Sequence, residues 1–329
     1  MSLSEAEVLK QSETAMKQWE NLWRANSSKN GEVYKKNKSN LNDLMFTGVG
    51  KIGVIVALGH SFQKQIDVLK NNENDREYEI ICVDKCFGFL LDNGVYPDYV
   101  VLADAQVGYE WMEGRDTSKS TLIANVNANP DWVNNWEGPV VFYVNKDNIK
   151  SEEIFSKISG CNELIPASSN VGNAAIILAT TIFHYDKSIL VGYDYCFAEK
   201  YYAFNEHTDK RYWMSHRLAI DHSGRIVKTS ENLVFSARWM DDYIKTIKPR
   251  VFNASRETIL SNAPFVDLQK QLEVSERRDL TDKEKNGICS RLIKKVLIKN
   301  KEEMQLISQK HNLVNLIAEI LPEKMPWQN

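Results

Sequence analysis

No stretch of this chain approaches the roughly 18–20 consecutive apolar residues that crossing a bilayer requires, so no membrane span is expected. The opening MSLSEAEVLK has neither the basic start nor the apolar centre of a secretory leader, and a cytoplasmic location is expected. Cysteine is scarce and scattered: Cys82, Cys86, Cys161, Cys196 and Cys289. Only the first two lie close together, and no second Cys or His pair stands at zinc-site spacing. Buried free thiols in a reducing compartment are the expectation. An excess of positive charge is missing too, because 41 Lys and Arg against 44 Asp and Glu give a net charge of −3. That argues against a sequence-wide nucleic-acid footprint, and no nucleic-acid partner is expected. There is no GxGxxG fingerprint and no Walker A lysine-serine, which disfavours the usual dinucleotide and P-loop sites. What remains is ordinary globular composition, 43% hydrophobic and 26% charged over 329 residues, enough for one large core with appendages or for two domains.

Residues 1–30 read as a helix. Ser2 and Glu5 have capping-box spacing, and Leu9, Met16, Trp19, Leu22 and Trp23 form an apolar stripe suited to docking on a body. Residues 26–42 are polar and lysine-bearing and read as a linker or loose crossover. From Lys51 onward strand and helix signals alternate. Apolar runs at 54–58, 80–83 and 99–103 each stop at a polar turn: Gly59-His60-Ser61, Asp84 and Asp104. Helices are expected at 61–71 and 85–93, further strands at 121–124, 140–144 and 188–191, and an Ala/Ile-rich helix after Ser168-Ser169-Asn170-Val171-Gly172. This alternation implies an α/β fold: a Rossmann-like, mostly parallel sheet with N-terminal and C-terminal helical extensions. The expected division is residues 1–48, a core over 49–262, and a helical segment over 263–329. Within the last, Met304, Ile307, His311, Val314, Ala318 and Leu321 keep heptad spacing, extendable upstream through Asn300, Leu297 and Ile293. It serves either as a long helix packed on the domain or as a surface for a homo-oligomer, with His311 an interface residue.

Polar groups at strand ends are the candidate site residues, because ligands of open α/β sheets lie along the carboxyl edge. Gly59 permits close backbone approach, and Ser61 can cap a helix whose free amides attract a phosphate. Asp84 and Asp104 can hold a divalent cation against a diphosphate, or bind a ribose and act as a base, although Asp84 can equally cap the helix that follows it. Ser169, Asn170 and Gly172 suit a phosphate or base at a helix start, and Asp194 can reach the same rim. Beyond it, the segment 198–218 is dense in aromatic, basic and imidazole side chains, with Tyr201, Tyr202, Lys210, Arg211, Tyr212 and Trp213. It reads as an acceptor-binding or lid loop or as a surface excursion. His207 and His216 lie in it, and His222 follows.

Taken in order, these residues resemble the family that holds the archaeal 6-hydroxymethylpterin diphosphokinase MptE and the bacterial motility-associated-factor (Maf) glycosyltransferases. The family's Gly-Pro-Ser-Leu turn is matched by Gly59-His60-Ser61-Phe62, and its Gly-Ile-x-Pro-Asp segment by Gly94-Val95-Tyr96-Pro97-Asp98. Asp104, Ser169-Asn170-Val171-Gly172, Leu190-Val191-Gly192-Tyr193-Asp194 and the short-strand segment Asn253-Ala254-Ser255 continue the likeness over about residues 50–260. His60 stands where the family has proline, adding a cationic donor beside a phosphate, and Phe62 where it has leucine. The resemblance implies three functions. The first is a glycosyltransferase that takes a nucleotide-activated sugar such as a CMP-nonulosonate and a hydroxyl acceptor. The nucleotide would then lie over Gly59, His60, Ser61, Asp84, Ser169, Asn170, Gly172 and Asp194, with Asp104, His216 and His207 as catalytic candidates. The second is diphosphate transfer from ATP to a pterin-like alcohol, with Mg2+ on Asp104 and Asp194. The third is a binding protein that has kept the fold without the chemistry.

Overall fold

The computed structural model describes residues 4–37, 39–72, 76–147, 149–198, 217–247 and 250–273. The insertion with His207 and His216, and the C-terminal heptad with His311, lie outside the described residues. Eight strands form a parallel sheet in the order β10-β7-β1-β2-β3-β4-β5-β6. In chain order they are β1 (Ile52–Val56), β2 (Tyr78–Val83), β3 (Tyr99–Leu102), β4 (Thr121–Asn125), β5 (Val140–Lys146), β6 (Leu164–Pro166), β7 (Lys187–Val191) and, after a hairpin of β8 (Arg217–Ile220) and β9 (Ile226–Thr229), β10 (Val251–Asn253). The helices are α1 (Glu5–Lys36), α2 (Ile66–Asn71), α3 (Phe87–Asp92), α4 (Pro130–Asn134), α5 (Ser151–Ser159), α6 (Val171–Ile177), α7 (Glu231–Thr246) and α8 (Leu268–Glu273). The Rossmann-like α/β arrangement is therefore the one the alternating pattern implied.

The physical reason lies in the strand sequences. Val54, Ile55, Val56, Ile80, Ile81, Val100, Val101, Leu122 and Ile123 are buried whichever face they project from, as a parallel sheet covered on both sides demands. The chain builds outward from β1 to β6, then α6 carries it back across the sheet to place β7 against the other edge of β1. β1 pairs Val56 with Cys82 of β2 on one side and with Val191 of β7 on the other. The direction of the winding therefore reverses at β1. β6 and β10 have three residues each, too short for an apolar pattern to show. Pro166 ends β6 at the sheet's edge, where a missing amide is tolerated.

The N-terminal helix differs from expectation at both ends. Its capping box is made by Ser4 and Glu7, with Ser4 N donating to the Glu7 carboxylate at 2.8 Å. At the other end α1 continues through the stretch read as a linker, to Lys36. Three of the polar residues there, Asn26, Ser27 and Asn30, face the body of the protein rather than water. Asn30, fully buried, donates from Nδ2 to the carbonyls of Val126 and Ala128, both at 2.9 Å. Asn26 Nδ2 donates to the Asn127 carbonyl at 3.0 Å and the Ala105 carbonyl at 3.3 Å, and Ser27 Oγ to Asn127 Oδ1 at 2.6 Å. These polar teeth bind the helix to the loops that follow β3 and β4, the first of which carries Asp104. Asn30→Ala strands two buried carbonyls and should cost roughly 2–4 kcal/mol in denaturant unfolding. Lys29→Ala on the exposed side of the same turn should cost almost nothing; equal losses would sink this account of the docking. Among the described residues no helix is long and apolar enough to cross a membrane.

Candidate functional site

The reversal at β1 opens a crevice between the carboxyl ends of β1 and β7, where open α/β sheets bind their ligands. Two glycines let the strand tails come together there. Gly59 N donates to the Gly192 carbonyl and Ala57 N to the Val191 carbonyl, both at 2.8 Å. A Cβ on Gly59 would stand 2.4 Å from the Gly192 carbonyl oxygen, and one on Gly192 2.2 Å from that of Ala57. Gly192 also has φ +72°, in the left-handed region where side chains are strained.

Above this crossing lies a cavity of about 260 Å³. Gly59, Asp84, Asp104, Asn170, Gly172 and Asp194 all line it, with Tyr193, Tyr195, Phe197 and Leu233 as the apolar wall. Residues from four strand ends, those of β1, β2, β3 and β7, and a helix start thus meet at one place. Asn170 caps α6, its side chain accepting from Asn173 N at 2.8 Å, so Val171 and Gly172 bring the first amides of the helix to the cavity. Tyr193 braces this end by donating from its hydroxyl to the Gly172 carbonyl at 2.9 Å. Ser169 stands behind the rim, where its hydroxyl accepts from Asn173 Nδ2 at 3.0 Å.

Asp194 is a floor residue rather than a rim residue, with no exposed surface. Ser61 N donates to its Oδ2 at 2.7 Å and the Ser61 hydroxyl to its Oδ1. Ser61, itself buried, therefore ties the turn after β1 to the loop after β7 and keeps its hydroxyl for that carboxylate. His60 lies outside the cavity lining and bridges two acids. Its Nδ1 is 3.0 Å from Asp194 Oδ2, within ion-pair distance though unaligned for a hydrogen bond, and its Nε2 is 3.2 Å from Glu257 Oε2. Burial pushes the Asp194 carboxyl up to about 6, against the lowering pull of His60 and Ser61. Glu257 escaped the sequence reading because it lies more than sixty residues beyond the Asp194 strand end, with no local pattern to mark it.

Asp84 and Asp104 differ in kind. Asp84 is 2% exposed, and its Oδ1 accepts from Lys85 N at 2.7 Å. Its Oδ2 is buried with no hydrogen-bond partner among the described residues. Burial pushes the carboxyl up to about 7; the Lys85 charge and amide oppose the rise, and the nearby Asp104 charge adds to it. Asp104 is exposed and accepts from Gln106 N at 2.8 Å. No group of three or more His, Cys, Asp or Glu side chains disposed to hold a metal occurs among the described residues. For the magnesium that the diphosphokinase resemblance implies, the donor set that fits is therefore Asp84 with Asp104, completed by substrate phosphates. Asp194 fits poorly, because both its oxygens are already engaged.

Comparison with known proteins agrees with this architecture. A Maf glycosyltransferase from Magnetospirillum magneticum AMB-1 has a similar fold, with a TM-score of 0.54 over 70% of this chain at 19% identity. The chain spans 39% of that protein's length. No curated protein matches significantly. The family described as 6-hydroxymethylpterin diphosphokinase MptE-like matches residues 26–200, more than half of the sequence and all of the segment from the docking turn of α1 to the Asp194 loop. The chain belongs to the MptE-like family.

Proposed function

We propose that this protein is a transferase that binds a nucleotide-activated sugar at the switch-point cavity and passes the sugar to a hydroxyl acceptor. The observation that carries the reading is the cavity itself: two carboxylates, the buried Asp84 and the exposed Asp104, line it together with the start of α6, over the crossing of β1 and β7. The helix start offers amides to the leaving phosphate, and the glycines keep the backbone low enough for it to approach. Asp104, the exposed carboxylate of the cavity, would orient the donor or take the acceptor's proton. His207 and His216 remain base candidates from sequence. A CMP-nonulosonate is the donor to try first.

The second reading, diphosphate transfer from ATP to a pterin-like alcohol, draws on the carboxylate pair. A magnesium ion on Asp84 and Asp104 would neutralise phosphate charge, and the protein's share of that chemistry would be positioning. The third, a binding protein without chemistry, needs no further residue.

Thermal unfolding with CMP, CDP, UDP and ATP, each with and without magnesium, separates the three. Stabilisation by CMP or UDP supports glycosyl transfer. Stabilisation by ATP with magnesium alone overturns it in favour of the kinase reading, and silence towards all four leaves the binding protein. Asp104→Ala should abolish the nucleotide-dependent shift while the unliganded transition stays cooperative. Undiminished nucleotide binding by that variant would mean that the site lies elsewhere.

A further inference from the structure

A second and larger cavity, of about 560 Å³, lies on the far side of the Asp194–His60–Glu257 bridge and shares no lining residue with the first. Its walls come from the segment leading into α2 (Lys64, Gln65), the tip of the β8–β9 hairpin (Arg225), the loop after β10 (Arg256, Glu257) and the residues before α8 (Phe265). Its charges are unevenly satisfied. Glu257 alone meets three cationic or ionisable groups: Lys64 at 2.5 Å and Arg225 at 3.1 Å on Oε1, and His60 on Oε2. Arg225 also holds Asp221 through Nε at 3.0 Å and Nη2 at 2.9 Å, which leaves its Nη1 without a partner among the described residues. Arg256 has no ion-pair partner among the described residues and stands over the Phe265 ring, its Cζ 4.3 Å from the centroid. The lining's other carboxylate, Asp267, accepts from Lys270 N at 3.1 Å.

Counted as donors and acceptors, the cavity is unbalanced. Among the described residues, Lys64 has two spare N–H groups, Arg225 its Nη1 and Arg256 its whole fork, while both oxygens of Glu257 are committed. Three cationic side chains from three separate elements suit a group with three acceptor oxygens better than a carboxylate with two. Phe265 is 39% exposed and lines the cavity along with Val68 and Leu268, giving it apolar surface as well as donors. We infer that this cavity is a second binding site, for an organic phosphate whose phosphoryl group meets Lys64, Arg225 and Arg256 and whose remainder rests on Phe265. The inference stands apart from the nucleotide reading of the switch-point cavity.

The full chain is titrated by calorimetry with phenyl phosphate, inorganic phosphate and phenol, at ionic strength held constant with sodium chloride. Phenyl phosphate should bind at least about threefold more tightly than inorganic phosphate because its ring buries apolar surface, and phenol should give no signal. Arg256→Ala should weaken both anions about tenfold. Phe265→Ala should erase the advantage of phenyl phosphate and leave inorganic phosphate unchanged. Asp104→Asn, in the other cavity, should alter neither. Absence of anion binding overturns the proposal, as does binding that survives Arg256→Ala or is altered by Asp104→Asn. Unliganded melting curves check the fold; if Arg256→Ala lowers its own transition, Lys64→Gln carries the same test.

Discussion

Asp84→Asn is expected to stabilise this protein at pH 8 by about 2–4 kcal/mol and to leave its stability at pH 4 nearly unchanged. The sign follows from the direction of the shift. Burial raises the folded-state pKa of Asp84 from 3.8 to about 7. Between those values the folded state holds a proton that the unfolded chain has lost. Stability is therefore complete below about pH 4, falls as pH rises towards 7, and levels off above it. Asp194, raised to about 6, acts in the same direction over a narrower window. Asparagine keeps the size of the side chain and an oxygen for the Lys85 amide, yet carries no charge to bury. Denaturant unfolding at pH 4 and pH 8 is the measurement. A gain of equal size at both, or a loss at pH 8, would show that the buried charge is not what costs stability.

The same substitution should show why the charge is kept. A divalent cation needs the deprotonated carboxylate, so magnesium should stabilise the native protein more at pH 8 than at pH 5 if the pair holds it. Asp84→Asn should remove that difference. A buried acid that lowers stability while facing a cavity is a common sign of a group retained for chemistry.

The fold was legible where burial is symmetric. Val54–Val56, Ile80–Val83 and Val100–Leu102 are apolar on both faces, which only a covered parallel strand requires, and each is followed within three residues by one that lines the crevice: Gly59, Asp84 and Asp104. Legibility failed where polarity has a partner inside the protein. Asn26, Ser27 and Asn30 look like solvent-facing linker residues, but their side chains are spent on carbonyls about a hundred positions away. In the site, the strand-end rule brought Gly59, Asp84, Asp104 and Asp194 to one cavity, because the rule concerns the backbone. It could not say which way a side chain turns. His60 occupies a turn that reads as a phosphate loop, yet its ring is drawn inward by Asp194 and Glu257.

The largest loss is expected at Gly192, the residue on which the crevice turns. Left-handed backbone costs an alanine about 1–2 kcal/mol wherever it occurs. Gly94 isolates that contribution: its φ is +76°, and a Cβ built on it meets nothing within 4 Å. Gly94→Ala should therefore cost about 1 kcal/mol and spare ligand binding. Gly192, at φ +72°, adds a Cβ 2.2 Å from the Ala57 carbonyl oxygen and 3.1 Å from Phe62 Cβ, so the tail of β1 must move. Overpacking of that kind adds about 1–3 kcal/mol, and Gly192→Ala should cost roughly 2–5 kcal/mol in all. The displaced tail carries Gly59 and Ser61, so the Ser61–Asp194 clamp opens and the floor of the cavity is lost with it. Any nucleotide-dependent shift in melting temperature should then vanish even below the transition of the weakened variant. Equal costs at Gly94 and Gly192 would show that the close crossing of β1 and β7 does not hold the cavity together.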